Sequence, residues 1–119
     1  MYTIAKRFTF DAGHHLPHLP EGHKCKRPHG HTYTVEVVLR ADRLNGYDFV
    51  VDYGDLREFK RFIDETLDHQ DLNAVLSCLT TAENIARYLY GWCQERWPQT
   101  YAVRVSETPN TYAEYREDD

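Results

Sequence analysis

Residues 29–41 carry the clearest structural pattern in the chain and read His29-Gly30-His31-Thr32-Tyr33-Thr34-Val35-Glu36-Val37-Val38-Leu39-Arg40-Ala41. From His31 to Leu39 every second side chain is a ring or an aliphatic group, whereas Thr34, Glu36 and Arg40 lie on the other side. This period of two is typical of a β-strand with one buried face. The stretch therefore predicts a long strand whose buried face begins with a histidine.

A second strand and a long loop are predicted immediately before it. Apolar side chains fall at alternate positions from Tyr2 to Phe10, interrupted only by Lys6, which indicates a strand over those residues. Residues 11–28 then contain three prolines, two glycines and four histidines with no sustained period, so we expect a loop. Loops of this length in a compact domain are usually functional or disordered, and the density of possible ligands favours function.

The region after the second strand predicts a helix. Phe49-Val50-Val51 is expected to extend the sheet briefly. Apolar residues then recur at three- and four-residue spacing from Leu56 to Leu67, the stripe of an amphipathic helix that opens near Asp52 or Asp55.

A second helix and a hairpin are expected to complete the fold. Thr80 and Glu83 have the spacing of a capping box, and Pro98 is expected to close the helix that follows them. Residues 101–107 and 111–116 alternate as two strands of a hairpin. The predicted order is ββααββ, an α+β class in which a four-stranded antiparallel sheet packs against two helices.

Length and composition limit the possible functions. A chain of 119 residues predicts one domain over residues 1–119. Asp and Glu outnumber Lys and Arg by 19 to 14, which argues against nucleic-acid binding through a basic surface. No apolar stretch approaches the roughly 20 residues that span a bilayer, so no membrane partner is expected. The acidic end Glu117-Asp118-Asp119 is expected to be solvated.

The three cysteines indicate a compartment. Cys25, Cys78 and Cys93 cannot all pair within one chain, and the N-terminus shows no apolar signal peptide. We therefore expect a reducing, cytoplasmic location.

The histidines predict a metal site. Six of the seven lie within residues 14–31, and His29 and His31 are two positions apart, so both rings point to the same side of a strand. His14, near the preceding strand, can supply a third ligand. Three imidazoles and an open position are typical of catalytic zinc. Spacing alone leaves His15, His18 and His23 open as alternatives to His14, or as surface residues.

Cys25 is a candidate reactive cysteine. It is flanked by Lys24, Lys26 and Arg27, and neighbouring cations favour the thiolate form. A second interpretation makes Cys25 a fourth zinc ligand, which would close the site and make it structural. The sequence leaves both interpretations open.

Two further groups carry acid–base potential. Asp68 precedes His69, and a carboxylate near an imidazole can orient it and raise its basicity. Glu107 continues the alternation of Val103 and Val105, which places a carboxylate at the end of an apolar sheet face. A buried carboxylate needs partners. A ligand with a guanidine-like edge and an Arg of a neighbouring strand are equally good candidates.

Five ordered motifs resemble a known family, the 6-pyruvoyltetrahydropterin and 6-carboxytetrahydropterin synthases. The resemblance covers essentially the whole chain. The motifs are Phe10-Asp11-Ala12-Gly13-His14, Cys25-x-x-x-His29-Gly30-His31, Leu67-Asp68-His69-Gln70-Asp71-Leu72-Asn73, Thr81-Ala82-Glu83-Asn84 and Ser106-Glu107-Thr108. Gly13 stands where the family usually has a second alanine, a change between small residues.

The resemblance implies a role for eight side chains. It makes three histidines the zinc ligands, namely His14, His29 and His31. It makes Cys25 the catalytic proton-transfer residue, and Asp68 and His69 the remaining members of a relay. It implies that Glu107 anchors the amino-pyrimidinone edge of a pterin, with Thr81 as a further pocket contact.

The resemblance also implies a reaction. The three residues between Cys25 and His29 are similar to the bacterial carboxytetrahydropterin branch, which serves queuosine and related deazapurine biosynthesis. The implied reaction converts 7,8-dihydroneopterin triphosphate to 6-carboxy-5,6,7,8-tetrahydropterin with loss of acetaldehyde and triphosphate. The alternatives are the sister pyruvoyl activity, which eliminates triphosphate and keeps the side-chain carbons, and a zinc- or pterin-binding protein without turnover.

The family fold implies an assembly. A subunit of the tunnelling fold (T-fold) carries its helices on one face of the sheet, and sheets from several copies join into a barrel. We therefore expect a homo-oligomer, a tetramer or a hexamer, with active sites between subunits.

Overall fold

Four strands and three α-helices form the fold in the computed structural model, which describes residues 1–117. Asp118 and Asp119, part of the acidic end predicted to be solvated, lie outside the described residues. The elements are β1 (Tyr2–His14), β2 (His29–Ala41), α1 (Arg57–Thr66), α2 (Leu72–Val75), α3 (Ala82–Arg96), β3 (Thr100–Ser106) and β4 (Ala113–Tyr115). Short 3-10 helices cover Lys24–Lys26 and Tyr53–Leu56. Of the helices within residues 1–117, none has the length and apolarity that a membrane span requires.

The sheet is antiparallel with the strand order β1-β2-β3-β4. β1 and β2 pair over their full length, from Tyr2 opposite Ala41 to His14 opposite His29. The register between β2 and β3 shifts once, between Val38 and Leu39. This long, unbroken β1–β2 pairing fixes which side chains share a face at the His14 end of the sheet.

One face of the sheet forms the core. Its alternate side chains, among them Phe10, Tyr33 and Val35, are buried against Phe59 of α1 and Leu89 of α3. The predicted packing of helices on one face of a four-stranded antiparallel sheet is confirmed.

A row of alternating charges crosses the opposite face. Arg7, Glu36, Arg104 and Glu114 are register partners on β1, β2, β3 and β4. Arg7 Nε lies 2.9 Å from Glu36 Oε2, Arg104 Nη1 lies 3.0 Å from Glu36 Oε1, and Arg104 Nε lies 2.6 Å from Glu114 Oε1. We call these four residues the charge ladder. Opposite charges at directly paired positions stabilise a sheet.

β1 is longer than predicted. Residues 11–14 continue the strand because they pair with residues 29–32 of β2, so the loop covers residues 15–28 rather than 11–28. Gly13 also donates its N–H to the Gln70 carbonyl at 3.0 Å, which fastens this strand end to the segment after α1. The side chains of residues 11–14 do not indicate a strand, because this part of β1 is defined by its pairing with β2.

The predicted strand at Phe49-Val50-Val51 is wrong, since Val50 and Val51 lie in bends and Phe49 has no regular secondary structure. Asn45 explains this. Its side-chain oxygen accepts the N–H groups of Tyr47 and Phe49, and its own N–H bonds to the Phe49 carbonyl at 2.8 Å. The backbone groups that a strand would offer to the sheet are therefore used locally.

The helix starts are partly as predicted. The Asp52 side chain accepts the Gly54 N–H at 2.8 Å and opens the turn that leads into α1, as expected. α3 begins one residue later than predicted, because Thr81 and not Thr80 accepts the Asn84 N–H. The predicted Thr80–Glu83 capping box is therefore wrong.

Candidate active site

The structure brings together the three histidines expected to bind metal. His14 ends β1, His29 faces it across the sheet, and His31 follows two residues later on the same face. One ring nitrogen from each residue lies within 4.8 Å of the other two. His15, His18 and His23 lie outside this cluster, which selects His14 among the alternatives that spacing left open.

Main-chain carbonyls orient two of the rings. His14 Nδ1 lies 2.8 Å from the Thr80 carbonyl oxygen, and His29 Nδ1 lies 2.8 Å from the Arg27 carbonyl oxygen. A carbonyl only accepts hydrogen bonds, so Nδ1 is the protonated nitrogen in both residues and Nε2 of the neutral ring keeps its lone pair.

The cluster fits a transition-metal ion. His14 Nε2 and His29 Nε2 are buried and have no hydrogen-bond partner among residues 1–117. Buried polar atoms without partners are costly and rare, and converging imidazole nitrogens are typical ligands of zinc, copper, iron and nickel. The donor set and the unpaired nitrogens together make this a candidate metal centre.

Glu107 faces the cluster from the end of β3. Its Oε2 lies 3.2 Å from His14 Nε2 and 3.4 Å from His31 Nε2. Protonation of the His14 ring, and after it of His31, lowers the pKa of Glu107, whereas its partial burial raises that pKa. Although the carboxylate oxygen lies close to His14 Nε2, the two atoms do not meet the geometric limits of a hydrogen bond. A carboxylate that faces imidazole lone pairs needs a shared cation or proton.

The alternative of an ordinary salt bridge from Glu107 to arginine does not hold. Within residues 1–117, the ion-pair contacts of Glu107 are to His14 and His31 alone.

Cys25 lies in the 3-10 helix Lys24–Lys26 and is half-buried. Its N–H donates to His23 Nδ1 at 3.1 Å, and its carbonyl accepts the Leu16 N–H at 2.8 Å. Of the cations around it, Lys26 pairs with Glu21. Cys25 is outside the cluster of three histidines, which favours an open site over the interpretation with a fourth ligand.

Asp68 and His69 form a hydrogen-bonded pair anchored on β1. His69 Nδ1 lies 2.8 Å from Asp68 Oδ2, and Asp68 Oδ1 accepts the Asp11 N–H at 2.9 Å. The His69 N–H donates to the Asp11 carbonyl at 2.6 Å, and His69 adopts a positive φ of 59°. Within the described residues, no hydrogen bond joins Cys25 to either side chain. The structure thus assembles two members of the expected relay and leaves the third apart.

The pair shifts the proton affinity of both partners. The backbone N–H of Asp11, and after it the hydrogen bond from His69, lowers the pKa of Asp68. The hydrogen bond to Asp68 and its negative charge raise the pKa of His69. His69 is exposed, so its second ring nitrogen is free to exchange protons outside the pair.

Open cavities connect these groups. One of about 530 Å³ is lined by His31, His69 and Asp11, among others. A second of about 470 Å³ is lined by His31 and Glu107. The candidate acid–base pair, the metal centre and the carboxylate therefore border adjoining spaces around His31.

Glu83 is a candidate site residue that the sequence reasoning did not name. Its spacing from Thr80 indicated a capping box, whereas the structure places Glu83 and Glu107 on the wall of one cavity of about 190 Å³. Thr81, expected to contact the pterin, caps α3 beside that cavity. The motif Thr81-Ala82-Glu83-Asn84 could have indicated Glu83, but we interpreted Glu83 only as part of a helix cap.

The fold and the site define the class. A four-stranded antiparallel sheet with helices on one face, and a histidine centre at the sheet's end, form an α+β subunit of the tunnelling-fold type. Residues 3–118 match the model of the 6-pyruvoyl tetrahydropterin synthase family. The chain therefore belongs to that family, and the resemblance inferred from the motifs is confirmed.

Relatives agree over nearly the full length. The 6-carboxy-5,6,7,8-tetrahydropterin synthase of Synechocystis is 35% identical over 97% of this chain and 93% of its own length. The Haemophilus influenzae protein of the same name is 30% identical over 98% of this chain and 100% of its own. The structure of Caenorhabditis elegans 6-pyruvoyl tetrahydropterin synthase matches with a TM-score of 0.86 and 25% identity, covering 98% of this chain and 96% of that one.

Proposed function

We propose that the chain is a zinc-dependent lyase that converts 7,8-dihydroneopterin triphosphate to 6-carboxy-5,6,7,8-tetrahydropterin. The reaction takes up one water and releases acetaldehyde and triphosphate, and it serves queuosine biosynthesis in the cytoplasm. The observation that carries the proposal is the cluster of three histidines with unpaired nitrogens beside Glu107. The Synechocystis and Haemophilus influenzae relatives named for this activity support it.

In this proposal the metal ligands are His14, His29 and His31. Zinc, when bound, supplies Lewis acidity that polarises a substrate oxygen and acidifies the adjacent C–H group. His14 and His29 present Nε2 because main-chain carbonyls occupy their Nδ1–H groups. The protein thereby selects the ligand atom in two of the three side chains before any ion arrives.

We assign acid–base catalysis to His69 and Cys25. Asp68 holds the His69 ring through Nδ1, so Nε2 of His69 is the atom that takes or gives a proton at the cavity. Cys25 is the proposed partner in proton transfer. Because it makes no hydrogen bond to His69 within the described chain, we place the complete relay between two copies.

Pterin recognition is assigned to Glu107, with Thr81 as a further contact. The ionised Glu107 carboxylate offers two oxygens that accept from the N–H groups of an amino-pyrimidinone edge. Glu83 lines the same cavity and offers a second carboxylate there.

A homo-oligomer completes the proposal, as a tetramer or hexamer. Within the described residues, β1 and β4 are the outer strands of the sheet, and β1 is covered only near residues 11–13 by the segment after α1. The charge ladder ends with Arg7 on β1 and Glu114 on β4. A second copy that adds its β4 to β1 continues the alternation of charge. Light scattering at micromolar concentration tests this, and an active monomer would contradict it.

Product analysis is the main test. The zinc-loaded protein is incubated with 7,8-dihydroneopterin triphosphate, pterin products are identified by mass spectrometry, and acetaldehyde is assayed in parallel. Carboxytetrahydropterin with acetaldehyde supports the proposal. Pyruvoyltetrahydropterin without acetaldehyde moves the assignment to the sister activity, which the Caenorhabditis elegans structural neighbour favours.

A Cys25→Ala variant separates an enzyme from a binding protein. The proposal expects zinc content to be retained and turnover to be lost, because the thiol lies outside the histidine cluster. Cys78→Ala, which removes another half-buried thiol, serves as the control. Loss of zinc in Cys25→Ala alone would make Cys25 a ligand and contradict its role in proton transfer.

A further inference from the structure

The His14 ring is held by a polar network that reaches two other segments. Its Nδ1 lies 2.8 Å from the carbonyl oxygen and 3.1 Å from the hydroxyl of Thr80, just before α3. The Thr80 hydroxyl lies 3.2 Å from Asn73 Oδ1 in α2. Neither the Thr80 hydroxyl nor the Asn73 amide is among the site residues inferred from the sequence, although Asn73 ends one of the family motifs.

Asn73 also binds the residue after His14. Its Oδ1 accepts the His15 N–H at 2.9 Å, and its Nδ2 donates to the His15 carbonyl at 2.9 Å. The Asn73 amide thus bonds the main-chain N–H and carbonyl of His15 as a neighbouring strand would, just beyond the point where the β1–β2 pairing ends. Asn73 therefore fixes the backbone that carries His14.

The directions of these bonds agree with one proton arrangement. His14 Nδ1–H donates to the carbonyl and hydroxyl oxygens of Thr80, and the Thr80 hydroxyl donates to Asn73 Oδ1. If the His14 proton sat on Nε2 instead, Nδ1 would face the Thr80 carbonyl with no hydrogen between them. In that form the Nε2–H group would face the Glu107 carboxylate at 3.2 Å, but the Nδ1 lone pair would be set against the Thr80 carbonyl oxygen at 2.8 Å. His14 and Thr80 are buried, at 2% and 0% exposure, so the unpaired carbonyl oxygen would be costly there.

We propose that Thr80 and Asn73 are positioning residues that hold His14 in the Nδ1–H tautomer and aim its Nε2 at the metal centre. This rests on the proposed metal centre, but the tautomer itself does not require a metal. Partners that orient a ligating histidine typically contribute about 10- to 100-fold to metal affinity. The Thr80 hydroxyl and the Asn73 amide share that contribution.

The first test uses metal affinity. The protein without metal is titrated with Zn²⁺ in competition with a chromophoric chelator, and with Co²⁺ for its visible spectrum. Thr80→Val and Asn73→Ala are each expected to weaken Zn²⁺ binding about tenfold or more and to alter the Co²⁺ spectrum, whereas Thr80→Ser retains the hydroxyl and restores affinity.

Two matched controls separate positioning from general destabilisation. Thr100→Val removes another buried hydroxyl, which bonds the Trp97 carbonyl at 2.7 Å, and Asn45→Ala removes another amide that accepts main-chain N–H groups. Both lie outside the network and are expected to keep wild-type affinity. Equal losses in controls and test variants, or affinity within twofold of wild type in both Thr80→Val and Asn73→Ala, would overturn the proposal.

The second test needs neither metal nor a variant. Two-bond ¹H–¹⁵N NMR correlations of the metal-free wild-type protein at pH 8 report the tautomer of each histidine ring. The Nδ1–H form is expected at His14, and an Nε2–H form there would overturn the proposal. This result stands even if no pterin is turned over, so the proposal fails or survives separately from the proposed activity.

Discussion

At the scale of single residues, Tyr33 contrasts with its neighbour His14. The rings of His14 and His31 lie 5.9 and 5.5 Å from the Tyr33 ring, and all three share the buried face of the sheet. His14 Nδ1 has partners in Thr80, but the buried Tyr33 hydroxyl has no hydrogen-bond partner in the part of the chain that the structure describes. Burial, and after it the negative charge of Glu107, raises the pKa of Tyr33, so the hydroxyl stays neutral.

Tyr33→Phe is therefore expected to leave stability unchanged or to increase it. The substitution removes a buried hydroxyl that carries a desolvation cost and returns no hydrogen bond, so the free energy of unfolding should rise by up to about 1 kcal/mol. Urea denaturation followed by circular dichroism measures it. A loss of more than about 1 kcal/mol would show that the hydroxyl has a stabilising partner.

The Asp68–His69 pair predicts a titration. The hydrogen bond and charge of Asp68 raise the pKa of His69 above its ordinary value of 6.5. Asp68→Asn should lower that pKa toward the ordinary value, which NMR titration of the ring protons would show. Substitution of Asp64, which pairs with Lys60 on α1, is the control and should leave it unchanged.

The same shifts give the pair a pH window. The raised pKa of His69 stabilises the fold fully below the ordinary histidine value, and this contribution is lost as the pH rises through the folded value. The lowered pKa of Asp68 acts above the ordinary aspartate value and is lost as the pH falls through its folded value. The pair should therefore stabilise the fold most between the ordinary pKa of aspartate and the ordinary pKa of histidine. A pH–stability profile that Asp68→Asn leaves unaltered would contradict this.

Glu107→Gln tests the assigned pterin anchor. The change removes a charge and almost no volume, so pterin binding should weaken at least tenfold, as expected for loss of a charge-assisted pair. Metal content and fold should be retained, because the three histidines remain. Binding is measured by fluorescence titration with a pterin, with Glu65→Gln on the exposed side of α1 as the control. Unchanged affinity would refute the role.

At the scale of elements, the charge ladder predicts how the strands are held in register. Glu36 accepts from both Arg7 and Arg104, and its side chain is only 14% exposed. Glu36→Gln removes the central charge and should cost about 1 kcal/mol of unfolding free energy, more than an exposed pair contributes. Lys60→Gln, which breaks an exposed pair on α1, should cost less than about 0.5 kcal/mol. Equal costs in urea denaturation would show that the ladder adds nothing beyond surface pairing.

Elements with a period of their own were predictable from the sequence. β2, the stripe of α1 and the alternation that carries Glu107 all follow from side-chain spacing. The end of β1 did not, because residues 11–14 are a strand only through their partners on β2. α2 was missed because it is a single turn opened by the Asp71 side chain, which accepts the Asn73 N–H at 3.1 Å.

In the candidate site too, side-chain spacing predicted some residues and not others. His29 and His31 are two positions apart on one strand, so their common face was readable. Spacing alone did not choose His14, which only the family resemblance indicated. The role of Thr80 was not readable, since it depends on a contact with His14 across 66 positions of sequence. Thr80 and Thr81 are chemically equivalent neighbours, and only the packed structure decides which one caps α3 and which one binds His14.

At the scale of the whole molecule, the candidate metal centre links separate parts of the fold. His14 comes from β1, His29 and His31 from β2, and Thr80 ties His14 to the segment before α3. An ion held there stabilises only the folded state. At a free zinc concentration 100 times the Kd, the free energy of unfolding should rise by about 2.7 kcal/mol.

Thermal unfolding with and without a chelator measures this coupling. The zinc-dependent rise in Tm should vanish in His31→Ala, which removes a ligand that is not buried in the core. Hydrogen exchange should slow most at residues 11–14, 29–31 and 79–81, and least around residues 42–52 at the other end of the sheet. A rise in Tm that persists in His31→Ala would place the ion elsewhere.

The unbroken β1–β2 register has a consequence for which changes of chain length the protein tolerates. Along β1, the main-chain N–H and carbonyl of Asp11 bond the Asp68–His69 pair, while the His14 side chain, three residues on, joins the histidine cluster. One residue inserted or deleted within residues 5–13 would turn the groups that follow it to the opposite side of the strand and separate them from their partners. Residues 17–23 lie in the loop between the paired strands, so we expect inherited insertions and deletions to accumulate there and to spare the hairpin.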